Sequence, residues 1–269
     1  MTTPSSSAPL PDGLDAAIAE LVRHEHVVVA SDFDGVLAPL VDDPSTSRAL
    51  PGDLDALRAL AAAPGTTVAL VSGRDLDTLL ALTGVDPATE AIVAFGSHGA
   101  QSTAATPVVL TDAQSALLDR LEALTTEHVT RWPGARVERK PAARVVHTRG
   151  MDPHEAQASA SELVAAAAQL DGVHVLQGKD VVELSVVAAS KGAAVLGLAE
   201  QEGAAVLYLG DDVTDETVFT RLRDGDVGIK VGAGATAAAH RVDDCETVTR
   251  VLAALASARE QAGQQGQRA

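Results

Sequence analysis

The sequence predicts a Rossmann-like α/β fold: a doubly wound, mostly parallel sheet interrupted by an inserted α+β domain. Three observations carry that prediction. Short apolar runs alternate with segments of helical spacing near both ends of the chain, aspartate- and glycine-bearing motifs fall where those runs stop, and the middle third replaces the alternation with paired strands between longer helices. Alternating strands and helices pack as a parallel sheet covered on both faces, and ligands then bind beyond the carboxyl ends of the strands. A chain of 269 residues, 46% apolar, is long enough for such a core and a smaller second domain.

Residues 1–13, rich in Ser and Pro without an apolar period, read as a disordered leader. A short helix is expected over 15–23, then a buried strand over 27–30 that runs into Ser31-Asp32-Phe33-Asp34-Gly35. Helical spacing returns over 54–63; 67–71 is a second strand, ending in Ser72-Gly73-Arg74; 76–82 is helical. A third strand over 91–95 precedes Gly96-Ser97-His98-Gly99. The middle then offers a helix over 112–128, strands at 136–140 and 144–148, a helix over 153–170, and strands at 173–176 and 181–186. The first pattern resumes with a helix from Lys191, a strand over 205–209 ending at Gly210-Asp211-Asp212, a helix near Asp215 and a strand over 227–231. The expected division is therefore a core of 14–105 plus 187–259, an inserted α+β cap of 106–186, and a Gln-rich tail, 260–269, that frays.

Composition excludes several classes of function. A net charge of −17 argues against nucleic acid, whose binding depends on accumulated Lys and Arg, and five aromatic residues make no stacking platform. No apolar run approaches the roughly 18–20 residues that span a bilayer, and 1–13 lacks the basic start and apolar stretch of a signal peptide. A cytoplasmic chain with no membrane partner is expected; its oligomeric state is open, and a monomer is compatible with the sequence. The single cysteine, Cys245, excludes an internal disulfide, and Asp243, Asp244 and Glu246 disfavour its thiolate, leaving an inert thiol. An acidic protein that handles an anion must concentrate its cations locally. There are four lysines, Lys140, Lys179, Lys191 and Lys230, against sixteen arginines, so a retained lysine points to a need for a compact point charge. Six basic residues fall within 131–149, which suggests a lid over an anionic substrate.

Asp32 and Asp34 sit where an apolar strand stops, and Gly35 lets the chain turn away. One carboxylate can attack phosphorus; the other can protonate the leaving oxygen and then activate the water that clears the intermediate. Two close carboxylates repel each other and a phosphate dianion unless a hard cation intervenes, which implies Mg2+ among oxygen ligands. Asp211 and Asp212, at another strand end, add to that set, and 211–216 holds four carboxylates in six residues. Each motif has a plain reading: Asp-Gly as an ordinary turn, Ser72 as a helix N-cap, Lys191 as a solvated lysine, 211–216 as a capping cluster. Each also has a chemical one. Ser72 with the N–H of Gly73 at a helix start is an anion site, and Lys191 is a point charge for a transferring phosphoryl group. Their joint occurrence at strand ends and helix starts decides for chemistry.

In that order, Asp32-Phe33-Asp34-Gly35, Ser72, Lys191 and Gly210-Asp211-Asp212 resemble the four motifs of the haloacid dehalogenase superfamily, over nearly everything from 27 to about 255. Within it the chain is similar to the trehalose-6-phosphate phosphatases. That similarity rests on Ser72-Gly73-Arg74, Gly96-Ser97-His98-Gly99-Ala100, Glu138-Arg139-Lys140 with His147-Thr148-Arg149, Gly178-Lys179-Asp180-Val181-Val182-Glu183, and Gly210-Asp211-Asp212-Val213-Thr214-Asp215-Glu216. The resemblance implies an Mg2+-dependent hydrolase of phosphoric monoesters acting on a small sugar phosphate, trehalose 6-phosphate first. Asp32 would be the nucleophile and Asp34 the general acid/base. Ser72 and Lys191 would hold the phosphate. Asp32, the main-chain carbonyl of Asp34 and Asp211 would hold Mg2+, with Asp215 in its outer shell. Arg74 and His98 would meet the substrate from the core, and Lys140, Arg149, Lys179 and Glu183 would grip sugar hydroxyls from the cap. Val36, Gln101 and Thr148 depart from the family pattern, the last two beside presumed sugar-binding segments. A phosphatase of the sucrose phosphate or mannosyl phosphoglycerate type and a non-catalytic sugar-phosphate-binding regulatory subunit are the alternatives. Lys230 has no family match and reads as structural.

Overall fold

The computed structural model describes residues 9–103, 110–178 and 180–266. In chain order its elements are α1 (Leu14–Leu21), β1 (Val27–Ser31), α2 (Asp53–Ala62), β2 (Thr66–Val71), α3 (Leu76–Thr83), β3 (Ile92–Gly96), β4 (Gln101–Ser102), α4 (Asp112–Arg131), β5 (Arg136–Lys140) and β6 (Ala143–His147). They continue with α5 (Pro153–Ala167), β7 (His174–Gly178), β8 (Val181–Ser185), α6 (Lys191–Glu202), β9 (Ala205–Gly210), α7 (Glu216–Phe219), β10 (Val227–Val231), β11 (His240–Val242) and α8 (Cys245–Gly266). The chain divides into two compact units, one of 1–106 with 190–269 and one of 107–189.

The first unit is built on a seven-stranded sheet in the order β11-β10-β9-β1-β2-β3-β4, parallel except for β4. Both faces of β1 are covered, which is why its residues are apolar without alternation. Val27 and Val29 enter one cluster with Leu57, Val251 and Leu252, while Val28 and Ala30 enter another with Val195, Leu196 and Phe219. Each Val, Leu or Phe side chain so buried contributes about 1.5–3 kcal/mol of transfer free energy. Register brings the chemistry together. Ser31 lies opposite Leu70 on β2 and Leu209 on β9, and the ladder runs one step further as the N–H of Asp32 donates to the Leu209 carbonyl at 2.9 Å. The segments after β1, β2 and β9 therefore leave the sheet at one edge and one level.

The second unit is a four-stranded antiparallel sheet, β5-β6-β8-β7, with α4 and α5 on one face. Val146, Val182 and Leu184 pack onto Leu117, Leu121 and Leu163 of the two helices. Alternation along the strands puts Glu138, Lys140, His147 and Glu183 on the opposite face.

Three elements go beyond the sequence expectation. Strands β4 and β11 are two and three residues long, too short for a period to register. Helix α8 continues to Gly266 where a frayed tail was expected from 260. Arg259 holds it: the buried guanidinium donates to the carbonyls of Val22, His24 and Pro64 and to the Thr66 hydroxyl, tying α8 to the entries of β1 and β2. In the expected leader, Leu10 packs against the core, while 1–8 lie outside the described residues, as do 267–269. Among the described residues no helix is long and apolar enough to cross a membrane.

Candidate active site

At the carboxyl end of the sheet one buried ammonium sits between two buried carboxylates. Lys191, at the start of α6, is 2% exposed and places Nζ 2.7 Å from Asp32 Oδ2 and 2.9 Å from Asp215 Oδ1. The plain reading of a solvated lysine is thereby overturned, since a helix start that packs its first residue inward needs a charged partner there. Burial works against the ammonium, but Asp32 and Asp215 outweigh it and hold its pKa above the ordinary value. Burial pushes the Asp32 carboxyl well above the ordinary range, with Lys191 opposing and Asp215 and Asp211 adding to the rise. The other oxygen of Asp32 accepts the N–H of Phe33 at 2.7 Å.

Asp215 is saturated. Lys191 and the Tyr208 hydroxyl, at 2.6 Å, donate to its Oδ1, and the N–H groups of Asp211 and Asp212, both at 2.8 Å, donate to Oδ2. It thus shapes the turn that presents Asp211. Gly210 makes this possible, because a Cβ there would lie 2.3 Å from Asp215 Cγ. Gly35 has the same meaning across the gap: its φ is +79° and a Cβ would lie 2.0 Å from Asp211 Oδ2, so the turn after Asp34 closes directly on that carboxylate. Oxygens of Asp32, Asp211 and Asp215 lie within 4.8 Å of one another, an all-oxygen set that suits a hard divalent cation such as Mg2+. Asp211 is raised to about 6 by burial and by Asp215. This crowded negative charge is what a divalent cation would relieve.

Asp34 has a different set of partners. Its Oδ2 accepts Arg74 Nε at 2.6 Å, and its Oδ1 accepts Arg74 Nη2 at 2.7 Å and Ser47 Oγ at 2.9 Å. Arg74, expected on the substrate, here forks onto Asp34 with its guanidinium carbon 5.9 Å from the Phe33 ring centroid. Ser72 is 1% exposed and is not the N-cap of α3. That role belongs to Asp75, which accepts the Thr78 N–H, while the Ser72 hydroxyl accepts the Arg74 N–H at 3.1 Å, tightening the turn three residues before the helix. His98 lies against Gly73, where a Cβ would approach its ring to 2.7 Å. Ser97 and His98 are both left-handed, at φ 48° and 54°, a conformation costly for residues with a Cβ and held here by Ser97 N–H on Arg74 O and His98 N–H on Ser72 O. The loops after β2 and β3 therefore interlock around Ser72, Gly73 and His98.

In the second unit Lys140 Nζ and Glu183 Oε2 are 2.8 Å apart and both residues are buried. His147 meets Glu138 at 2.7 Å on the same sheet face. Arg149 is exposed in the turn after β6. Lys179 lies outside the described residues.

A family model described as trehalose-phosphatase matches residues 30–249. The chain belongs to the trehalose-phosphatase family. A trehalose-phosphate phosphatase of Mycobacterium leprae is 33% identical over 246 residues, 81% of this chain and 53% of that protein. A Mycobacterium tuberculosis protein described as an uncharacterized glycosyl hydrolase is 34% identical over 92% of this chain and 20% of its own length. The chain thus spans between a fifth and about half of these relatives. The solved structure of Aspergillus fumigatus trehalose-6-phosphate phosphatase is 26% identical with a TM-score of 0.67, covering 93% of this chain and 99% of that one. The haloacid dehalogenase type of α/β fold expected from the motifs is the fold observed.

Three residues in contact with this cluster were not expected there. Tyr208, the single tyrosine, stands on the otherwise aliphatic β9 two residues before Gly210, and its isolation is a signal that could have been read. Lys230, expected to be structural, donates Nζ to the main-chain carbonyls of Asp211 and Val231 and bears on the charge of Asp211. Its place among so few lysines pointed the same way. Ser47, in a polar loop far from any motif, gave no signal at all.

Proposed function

We propose that this trehalose-phosphatase family member hydrolyses trehalose 6-phosphate to trehalose and phosphate through a phosphoryl-Asp32 intermediate. The observation that carries the reading is the buried Asp32–Lys191–Asp215 array beside Asp211, with Asp34 two residues from Asp32. In the first half-reaction an Asp32 oxygen bonds to phosphorus, the bond from phosphorus to the sugar oxygen breaks, and Asp34 gives that oxygen its proton. In the second, Asp34 takes a proton from water, the water oxygen bonds to phosphorus, and Asp32 leaves as carboxylate. Ser72, the Gly73 N–H and Lys191 hold the phosphoryl oxygens as charge redistributes. Asp32, the Asp34 carbonyl and Asp211, with Asp215 behind them, would hold Mg2+, which would supply positive charge against which a phosphate dianion could approach these carboxylates. In the second unit, Arg149, Lys179 and the Lys140–Glu183 pair read sugar hydroxyls. With five aromatic residues in the chain, selection rests on directional hydrogen bonds rather than stacking. The reading carries with it a cytoplasmic location and a small-molecule partner.

The test is Mg2+-dependent phosphate release from trehalose 6-phosphate beside sucrose 6-phosphate, glucose 6-phosphate and mannosyl phosphoglycerate. Trehalose 6-phosphate should be turned over fastest, and chelation should stop it. Faster release from another member would discard the substrate, and release from none would discard the enzyme.

A further inference from the structure

Asp34 is held by two separate elements. Arg74, after β2, forks across both carboxylate oxygens, and Ser47, from the loop that precedes α2, adds a third hydrogen bond on Oδ1 at 2.9 Å. Ser47 is 0% exposed although its neighbours Ser45, Thr46 and Arg48 are solvent-facing. A buried hydroxyl is retained where it has a partner to satisfy, and the Asp34 carboxylate is that partner. The loop that delivers it is itself fixed. The Asp43 side chain caps the 3-10 turn Pro44–Thr46, Arg48 donates to the Ser47 carbonyl at 2.7 Å, and the Leu50 N–H donates to the Leu37 carbonyl at 2.8 Å.

Each carboxylate oxygen accepts about two hydrogen bonds. With Arg74 Nη2 and Ser47 Oγ on it, Oδ1 is filled; Oδ2 accepts Arg74 Nε and keeps one acceptor position open among the described residues. Arg74 alone fixes the carboxylate plane against one fork, and the plane can still rock about that fork. A third donor from a different direction removes this freedom. We propose that Ser47 is a positioning residue that locks the carboxyl plane of Asp34, so that the open position on Oδ2 is the one that delivers the proton to the leaving oxygen. The inference rests on the role of Asp34 given above, and it adds a residue and an atom to it.

Leaving-group dependence separates positioning of an acid from general damage. The quantity kcat/KM reports the steps up to departure of the leaving group. A sugar alkoxide needs its proton from Asp34, whereas 4-nitrophenolate departs without one. Ser47→Ala should lower kcat/KM for trehalose 6-phosphate about tenfold while leaving 4-nitrophenyl phosphate within about twofold. Arg74→Lys, which keeps charge but loses the fork, should show the same bias towards the alkyl ester. Equal losses on both esters, or no loss on either, would overturn the proposal. Turnover of trehalose 6-phosphate by the unsubstituted protein, measured alongside, reports separately on the function from which it starts.

Discussion

At Lys191 a single buried ammonium compensates two buried carboxylates. Removing one partner of a buried ion pair leaves the remaining charge unpaired and typically costs about 3–5 kcal/mol. Lys191→Met is therefore expected to lower the urea midpoint markedly and to abolish phosphate release; an unshifted midpoint would contradict the buried-pair account. Asp53 presents the opposite case. It is 0% exposed at the start of α2, its carboxyl oxygens make no well-formed hydrogen bond among the described residues, and burial raises it to about 7, a weak approach of the Thr249 hydroxyl offsetting this only in part. Between the unfolded value near 3.8 and about 7 the folded protein binds the extra proton, so stability falls as pH rises through that window and levels off above it. Asp53→Asn removes this dependence. Urea midpoints across the window should decline less for the variant than for the unsubstituted chain, and parallel declines would remove Asp53 as the cause.

The turns at the strand ends were legible because their chemistry constrains residue type. Asp-x-Asp-Gly after β1 and Gly-Asp-Asp after β9 need glycines that let carboxylates fold against backbone, and a glycine between an acidic pair and the next apolar run is visible in a sequence. Gly35→Ala would drive a Cβ onto Asp211 at a left-handed φ, and is expected to weaken Mg2+ binding by calorimetry at least tenfold while costing about 1–3 kcal/mol of stability. The parallel core was legible for a similar reason, since strands buried on both faces read as unbroken apolar runs. What escaped were elements fixed from outside themselves. Helix α8 has buried positions Val248, Val251, Leu252 and Leu255 at helical spacing, but its last turns depend on Arg259 reaching carbonyls about 195–237 residues away, which no local pattern records. The plain reading of Ser72 as a helix cap fails because Asp75, at the same strand-to-helix junction, provides that cap. Arg259→Ala should strip this donor from four carbonyls and a hydroxyl and lower stability by about 2–4 kcal/mol, without altering kcat.

The molecule as a whole divides its labour between two cores of different design. A parallel sheet assembles carboxylates, two lysines and one tyrosine at its carboxyl end, and an antiparallel sheet displays paired charges on the face away from its helices. Crowded negative charge at that end of the sheet would couple folding to a bound divalent cation. A ligand that binds the folded form alone stabilises it by about 2.7 kcal/mol at a hundred times its Kd. Mg2+ should therefore raise the thermal midpoint, and Asp211→Asn should abolish most of that gain. The most direct measurement of the central claim is acid quenching of the protein during turnover of trehalose 6-phosphate with Mg2+, followed by peptide mapping of any covalently bound phosphoryl group by mass spectrometry. The account predicts a phosphoryl group on Asp32, absent from Asp32→Asn. Turnover with no covalent phosphoryl group under single-turnover conditions, or one mapped to another residue, would contradict it.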